Sequence, residues 1–235
     1  METVPACALV ISAHPDDLDF GCSGTVAQWV RAGSRVAYVI CTNGDKGTDD
    51  ADFTAADLAR IRQREQTAAA ELIGVRDVTF LGVADGELEN TPDLRRKLVA
   101  AIRRVRPQVI LCQDPANRTF ENVYGSHRDH RQAAEAAFDS LYPAAGNPRF
   151  FPELLAQGLA PHHAEEAFFF GTTAPNFRVD ISEVIDLKIH ALQCHASQVE
   201  KFEDLATFLK ERHHEMGKPA GYPYAEVFRR LRLPG

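Results

Sequence analysis

The chain has 235 residues, 45% hydrophobic and 25% charged, a globular composition long enough to bury a core without disulfide or metal staples. Its formal net charge is -7 and its lysines and arginines are spread along the chain, so there is no basic stripe for nucleic acid. No stretch approaches the roughly 20 apolar residues that span a bilayer, and acidic Glu2 before a short apolar run, Ala6 to Ser12, does not make a signal peptide. Neither nucleic acid nor membrane is therefore expected as a partner. Cysteines stand at 7, 22, 41, 112 and 194, an odd number without paired spacing, three of them in or beside apolar runs. Reduced, buried thiols in a soluble cytoplasmic protein are the expectation.

Cys7 to Ser12 is a short continuous apolar run, a strand covered on both faces. A glycine-containing loop follows, then a helix from Gly24 to Ala32 stopped by Gly33. Arg35 to Thr42 is β-branched and aromatic, a second strand. Asn43 to Asp57 is a polar, acidic loop too long for a mere connection. Ala55 to Ile73 is rich in Ala, Arg, Glu and Gln and predicts a helix with Gly74 at C′. Val78 to Leu81 is a third strand. Thr91-Pro92 caps and opens a helix to Arg106, and Gln108 to Cys112 is a fourth strand. Another polar loop runs to about Arg128, where an alanine-rich helix continues to Leu141.

Strand and helix thus alternate over the first 141 residues, the pattern of right-handed βαβ units. The expected class is α/β, a Rossmann-like, doubly wound, mostly parallel sheet with a less regular C-terminal extension. In that extension Pro143 to Glu166 holds four prolines and is expected as loop with short helical turns, Ala167 to Gly171 and Phe177 to Ile181 as strands, and Ser182 to His195 as helix. No repeat, low-complexity tract or linker divides the chain, so one domain over 1–235 is expected.

Open α/β sheets bind ligands beyond the carboxyl ends of their strands, and the polar clusters fall at those ends. After the first strand comes Ala13-His14-Pro15-Asp16-Asp17-Leu18-Asp19. Asn43-Gly44-Asp45-Lys46-Gly47 follows the second, and Asp114 to Asn122 with Gly125-Ser126-His127-Arg128-Asp129-His130 follows the fourth. A histidine and a carboxylate three apart on a proline-stiffened turn can reach one divalent cation. Two adjacent carboxylates in a cleft are costly unless a cation separates their roles. His127 and His130, three apart near a helix start, can face the same cleft. Two histidines and one carboxylate with an open position for water is the layout of a catalytic zinc site. Alone, a His-Pro-Asp turn is usually structural and a His-x-x-His often surface; it is their convergence on one sheet edge that points to a metal.

These residues resemble the LmbE-like, or PIG-L, N-acetylglucosaminyl deacetylase family. The resemblance extends to Gly21-Cys-Ser-Gly24-Thr25, Thr42 to Gly47, Arg62-x-x-Glu65 before Leu72 to Val75, Phe80-Leu-Gly, Asp85-Gly, Arg106-Pro107, and Lys188 with His195-Ala-Ser-Gln198, about residues 6 to 200 in all. It implies His14, Asp17 and His130 as ligands of a zinc ion and Asp16 as general base. It also implies His127 as the group that steadies the oxyanion, Asp129 as orienter of His127, and Arg62 as a substrate contact. The substrate it implies is a small N-acetylated amino sugar or similar amine, the reaction hydrolysis of the N-acetyl amide, and a homo-oligomer is in keeping with it. Where the family often continues His-Pro-Asp-Asp-Glu, Leu18 stands here, with Asp19 one place later.

Other residues weigh less. The pairs His162-His163 and His213-His214 sit in polar context and are expected at the surface. Cys22 is expected to be packed, and His195 is equally readable as core, surface or neighbour of the site. The Gly21 to Gly24 spacing does not match a dinucleotide fingerprint. Two alternatives remain: an iron(II) oxygenase, which uses the same ligand types but commonly on all-β folds, and a non-catalytic binding module, which leaves Asp16 without a task.

Overall fold

The computed structural model describes residues 4–234 apart from 51, 121 and 124. Its elements in chain order are β1 (Cys7–Ser12), α1 (Asp17–Gly21), α2 (Ser23–Arg31), β2 (Arg35–Thr42), α3 (Ala55–Ile73), β3 (Asp77–Val83), α4 (Pro92–Val105), β4 (Val109–Gln113) and α5 (Arg128–Asp139), followed by α6 (Glu153–Ala156), β5 (Glu166–Phe170), β6 (Phe177–Asp180), α7 (Ile185–Gln193), α8 (Ala196–Val199), α9 (Leu205–Gly217) and β7 (Ala225–Arg232). The sheet order is β3-β2-β1-β4-β5-β7-β6. Pairings among β3, β2, β1, β4 and β5 are parallel, whereas β7 runs antiparallel to β5 and β6. The expected mostly parallel α/β sheet is what the chain forms.

Both faces of β1 and β4 are buried, which is why these strands read as unbroken apolar runs. Along β1 the side chains alternate between two layers. Ala8 and Val10 join the core under α2, α3 and α7, while Leu9 and Ile11 join the core under α4 and α5. The helix ends follow local chemistry. Thr54 and Thr91 accept from the N–H of Asp57 and Leu94, Pro92 opens α4, and Gly74 closes α3 at φ 97.

Several boundaries differ from expectation. The loop after β1 contains a helical turn, α1, and the next helix starts at Ser23. The helix expected over Ser182 to His195 spans only Ile185–Gln193. α5 gives way at Ser140 to a wider turn through Ala144. The larger difference is β7, a strand for which no sequence signal was found. Glu226, its second residue, is buried, and Arg229, Arg230 and Arg232 interrupt both of its faces, so neither presents an unbroken apolar stripe. His213 is likewise buried, not at the surface. Its Nδ1 bonds Ala225 O at 2.8 Å, and burial, with Lys188 nearby, pushes its pKa down to about 4. His214 is exposed, and half-buried His162 contacts Pro107 O at 2.8 Å.

One buried cation organises the segment after α5. Arg103, 2% exposed, donates to the carbonyls of Ala144, Ala145, Asn147 and Phe150 at 2.9–3.1 Å. Arg103→Met keeps the aliphatic volume and leaves those carbonyls without their donor. It should lower unfolding stability by about 3 kcal/mol, read as a lower urea midpoint at unchanged slope. An unshifted midpoint would mean that water replaces the guanidinium at no cost.

Candidate active site

The strand order reverses between β1 and β4, the switch point at which open α/β sheets leave a crevice. The turn after β1 carries His14 to Asp17, and the first turn of α5, after the β4 loop, carries His127 to His130. The crevice therefore brings together the two motifs, 116 positions apart between His14 and His130.

His14 Nδ1 lies 3.1 Å from His130 Nε2 and 3.3 Å from Asp17 Oδ2, and His130 Nε2 lies 3.0 Å from Asp17 Oδ1. Three donor atoms about 2.1 Å from one ion at tetrahedral angles would stand roughly 3.4 Å apart, so this triangle has the right size. Looser groupings exist: one nitrogen each of His14, His127 and His130 lie within 4.8 Å of one another, as do atoms of His14, Asp85, His127 and Asp129. The tighter triangle is the better candidate, because the other groups are engaged elsewhere. Asp129 accepts from the N–H groups of Gly86 and Leu88, and Asp129 and Asp85 face the far nitrogen of His14, Nε2, at 3.3 and 3.0 Å. A carboxylate behind a ligating imidazole fixes its tautomer and aims it. Gln113 Nε2 steadies Asp17 Oδ2 at 2.9 Å, and the His14 N–H reaches the same oxygen at 2.7 Å.

The electrostatics suit a cation. Burial alone would push the His14 pKa down, but Asp17, then Asp129 and Asp85, raise it to about 12. Burial would raise Asp17, but His130 and His14 hold it well below the usual carboxylate range. Asp85 is held to about 2 against its own burial, chiefly by His14. A proton on His14 here balances carboxylates that a divalent ion would balance instead.

Asp16 adjoins the triangle without sharing it. It sits at φ 92, in the left-handed region that favours glycine, a conformation costing of order 1–3 kcal/mol. Burial raises its carboxyl to about 6 against the pull of Arg62, whose Nη2 lies 3.1 Å from Oδ2. Arg62 is 4% exposed and also donates to Pro15 O at 2.6 Å and Gly44 O at 3.0 Å. Gly44 has φ 60, and a Cβ there would run into the guanidinium. The expected substrate contact is thus, in this structure, a clamp on Asp16 and two loops.

His127 caps α5. Its Nδ1 accepts the backbone N–H of Asp129 at 3.2 Å, so the neutral ring carries its proton on Nε2. Burial, then His14 and His130, push its pKa down. Asp129, expected to orient His127, contacts that ring through its backbone N–H while its carboxylate faces His14 Nε2, and the geometry offers a neutral Nε2–H donor on His127. The sequence pattern gave no role to Asp85, Gln113, Gln66 or Asp19. Asp85 was findable, as the acidic residue just past the C-terminal end of β3 on the same sheet edge.

A family model described as GlcNAc-PI de-N-acetylase, PIG-L, matches residues 9–141. Diacetylchitobiose deacetylase of Thermococcus kodakarensis is 34% identical over 223 residues, 94% of this chain and 81% of that protein. Among solved structures, N,N'-diacetylchitobiose deacetylase from Pyrococcus horikoshii has a TM-score of 0.88 at 31% identity, covering 97% of this chain and 84% of that one. GalB, the 4-carboxy-2-hydroxymuconate hydratase of Pseudomonas putida KT2440, has a TM-score of 0.81 at 23% identity over 97% of each chain, a likeness of fold alone. With the match spanning both the His14–Asp17 turn and the His127–His130 turn, the chain belongs to the PIG-L family, whose model is described as GlcNAc-PI de-N-acetylase.

Proposed function

We propose that the chain, as one catalytic domain over 1–235, hydrolyses the N-acetyl amide of a small amino sugar with a zinc ion held by His14, Asp17 and His130. The observation that carries this reading is the triangle of 3.0–3.3 Å contacts among those three side chains, with Asp16 beside it and unshared. The relatives named as diacetylchitobiose deacetylases support a chitobiose-like, N-acetylglucosamine-type substrate. Five free cysteines, four of them buried, fit a reducing compartment. Among the described residues no helix is long and apolar enough to cross a membrane.

An amide resists water because water is a poor nucleophile and charge must develop on the carbonyl oxygen. Bound zinc supplies a Lewis acid for that oxygen and lowers the pKa of a water to near 7. Asp16 takes the proton of the attacking water and delivers it to the nitrogen as the C–N bond breaks. Neutral His127 donates from Nε2 to the carbonyl oxygen as it gains charge, a contribution of roughly 3–4 kcal/mol at comparable sites. Asp129 sets the His127 tautomer through its backbone and the His14 orientation through its carboxylate. Arg62 keeps Asp16 in place, and a substrate oxygen is the second contact proposed for it.

Chelator-treated protein should release no acetate, and zinc should restore release from at least one member of a panel of N-acetylglucosamine, diacetylchitobiose, and N-acetylglucosaminyl malate and inositol. Release from none of them by zinc-loaded protein would return the chain to a binding role. Restoration by iron(II) alone, with oxygen consumed, would favour the oxygenase.

Asp16→Asn should keep one metal per chain while kcat falls by roughly 10² or more, and His127→Ala should likewise keep the metal and lose kcat. Loss of metal from Asp16→Asn would make Asp16 a ligand. Arg62→Ala should lower kcat as well as raise KM, because Asp16 loses its partner; a rise in KM alone would make Arg62 a pure substrate contact.

A further inference from the structure

Asp16 is held in an unfavourable backbone conformation, and the groups that hold it lie far along the chain. Its φ is 92, and its N–H donates to Gln66 Oε1 at 2.9 Å. Gln66, fully buried on α3, turns its amide nitrogen to Asp19 Oδ2 at 2.8 Å. The same oxygen receives His195 Nε2 at 2.9 Å, and both Asp19 and His195 have no solvent exposure. The Asp16 carbonyl meanwhile accepts from the N–H groups of Asp19 and Phe20 at 2.9 and 3.0 Å. Lys188 Nζ closes the far end of the turn on Asp19 O and Phe20 O at 2.6 and 3.0 Å.

None of Gln66, Asp19 or His195 touches the metal triangle in this arrangement, so ligation does not explain their burial. Asp19 Oδ1 and His195 Nδ1 have no partner among the described residues, and the bonds this buried chain does make all lead toward Asp16. Its direction is clear: His195 fixes the Asp19 carboxylate, that carboxylate fixes which end of the Gln66 amide faces Asp16, and Gln66 fixes the Asp16 N–H. The Asp16 N–H itself calls for the amide oxygen; the pull of Asp19 on the amide nitrogen holds Gln66 in the orientation that offers it.

We propose that His195, Asp19 and Gln66 are positioning residues that hold Asp16 in its left-handed conformation and thereby aim its carboxylate beside the metal triangle. The claim about the backbone stands on geometry alone; its catalytic consequence rests on the deacetylase reading, in which Asp16 is the base.

Two experiments separate these. The first is a thermal-unfolding cycle on the zinc-loaded protein that needs no substrate. At φ 92 glycine is unstrained and alanine is not, and both remove the Arg62 contact equally. Asp16→Gly should therefore melt about 4 °C above Asp16→Ala. With Gln66→Met added, the turn is free to relax and that gap should fall to about one degree or less. His195→Leu serves as the second background should Gln66→Met not fold. An undiminished gap would overturn the proposal, whatever the protein hydrolyses.

The second is kinetic. Gln66→Met and His195→Leu should each lower kcat at least tenfold with metal content and KM little changed, and His195→Gln, which keeps an N–H for Asp19, should recover most of the loss. In an Asp16→Asn background the same substitutions should cause no further loss; multiplicative losses there would show action independent of Asp16 and overturn its role as their target. A parent that releases no acetate would sink the deacetylase reading and leave the melting cycle to decide the backbone claim.

Discussion

The constraint on which the site depends is the turn between β1 and α1. Within four residues it must end a fully buried strand, start a helical turn, and bring an imidazole and a carboxylate to one point. It does so by placing Asp16 at φ 92, so that Asp17 folds back under the His14 N–H while the Asp16 side chain stays outside the triangle. A conformation of this kind persists only where its surroundings over-determine it. Arg62 from α3 grips Pro15 O and the Asp16 carboxylate, and glycine at 44 lets the loop after β2 lie against the same guanidinium.

The C-terminal part, although irregular in sequence, supplies the buried charge that this turn needs. Lys188 on α7 pairs with Glu226 on β7 at 2.8 Å, with neither side chain exposed. Glu226 accepts the N–H groups of Gly24 and Thr25 and the Thr25 hydroxyl, all at the start of α2. A buried pair gains little over apolar packing, but it is severe on any arrangement that leaves one partner alone. The α1–α2 corner is thereby tied to α7 and β7, and the antiparallel insertion of β7 between β5 and β6 is part of how the site is held.

What was legible in the sequence was whatever is written in consecutive residues. The apolar runs of β1 and β4, the caps at Thr54, Gly74 and Thr91, and the two His/Asp motifs each carry their signal within a few positions. The strand order then sets both motifs at one crevice without any further information. Long-range pairings were not legible. Nothing local marks His195 as the partner of Asp19, 176 positions away, or Glu226 as the partner of Thr25, 201 positions away. β7 escaped because a buried glutamate and three arginines within eight residues mimic a solvated surface. His213 escaped because its partner is a backbone carbonyl on that same strand. That the Asp129 carboxylate faces His14 while its backbone meets His127 was not legible, because spacing cannot say which of two neighbouring rings a side chain faces.

Fold alone does not choose the reaction, since a hydratase shares this architecture at a TM-score of 0.81. The distinction has to come from the side chains, and here the adjacent carboxylates are informative. Asp16 and Asp17 are chemically identical neighbours driven in opposite directions. His130 and His14 overcome the burial of Asp17 and keep it a carboxylate, as a metal ligand must be. Burial prevails at Asp16 over the guanidinium of Arg62, which raises its affinity for a proton. Two titratable groups pushed apart by their surroundings are the usual mark of a division between ligand and base. A carboxylate that holds a proton well, beside but not on the proposed cation, is what an amide needs, because its leaving nitrogen departs only when protonated.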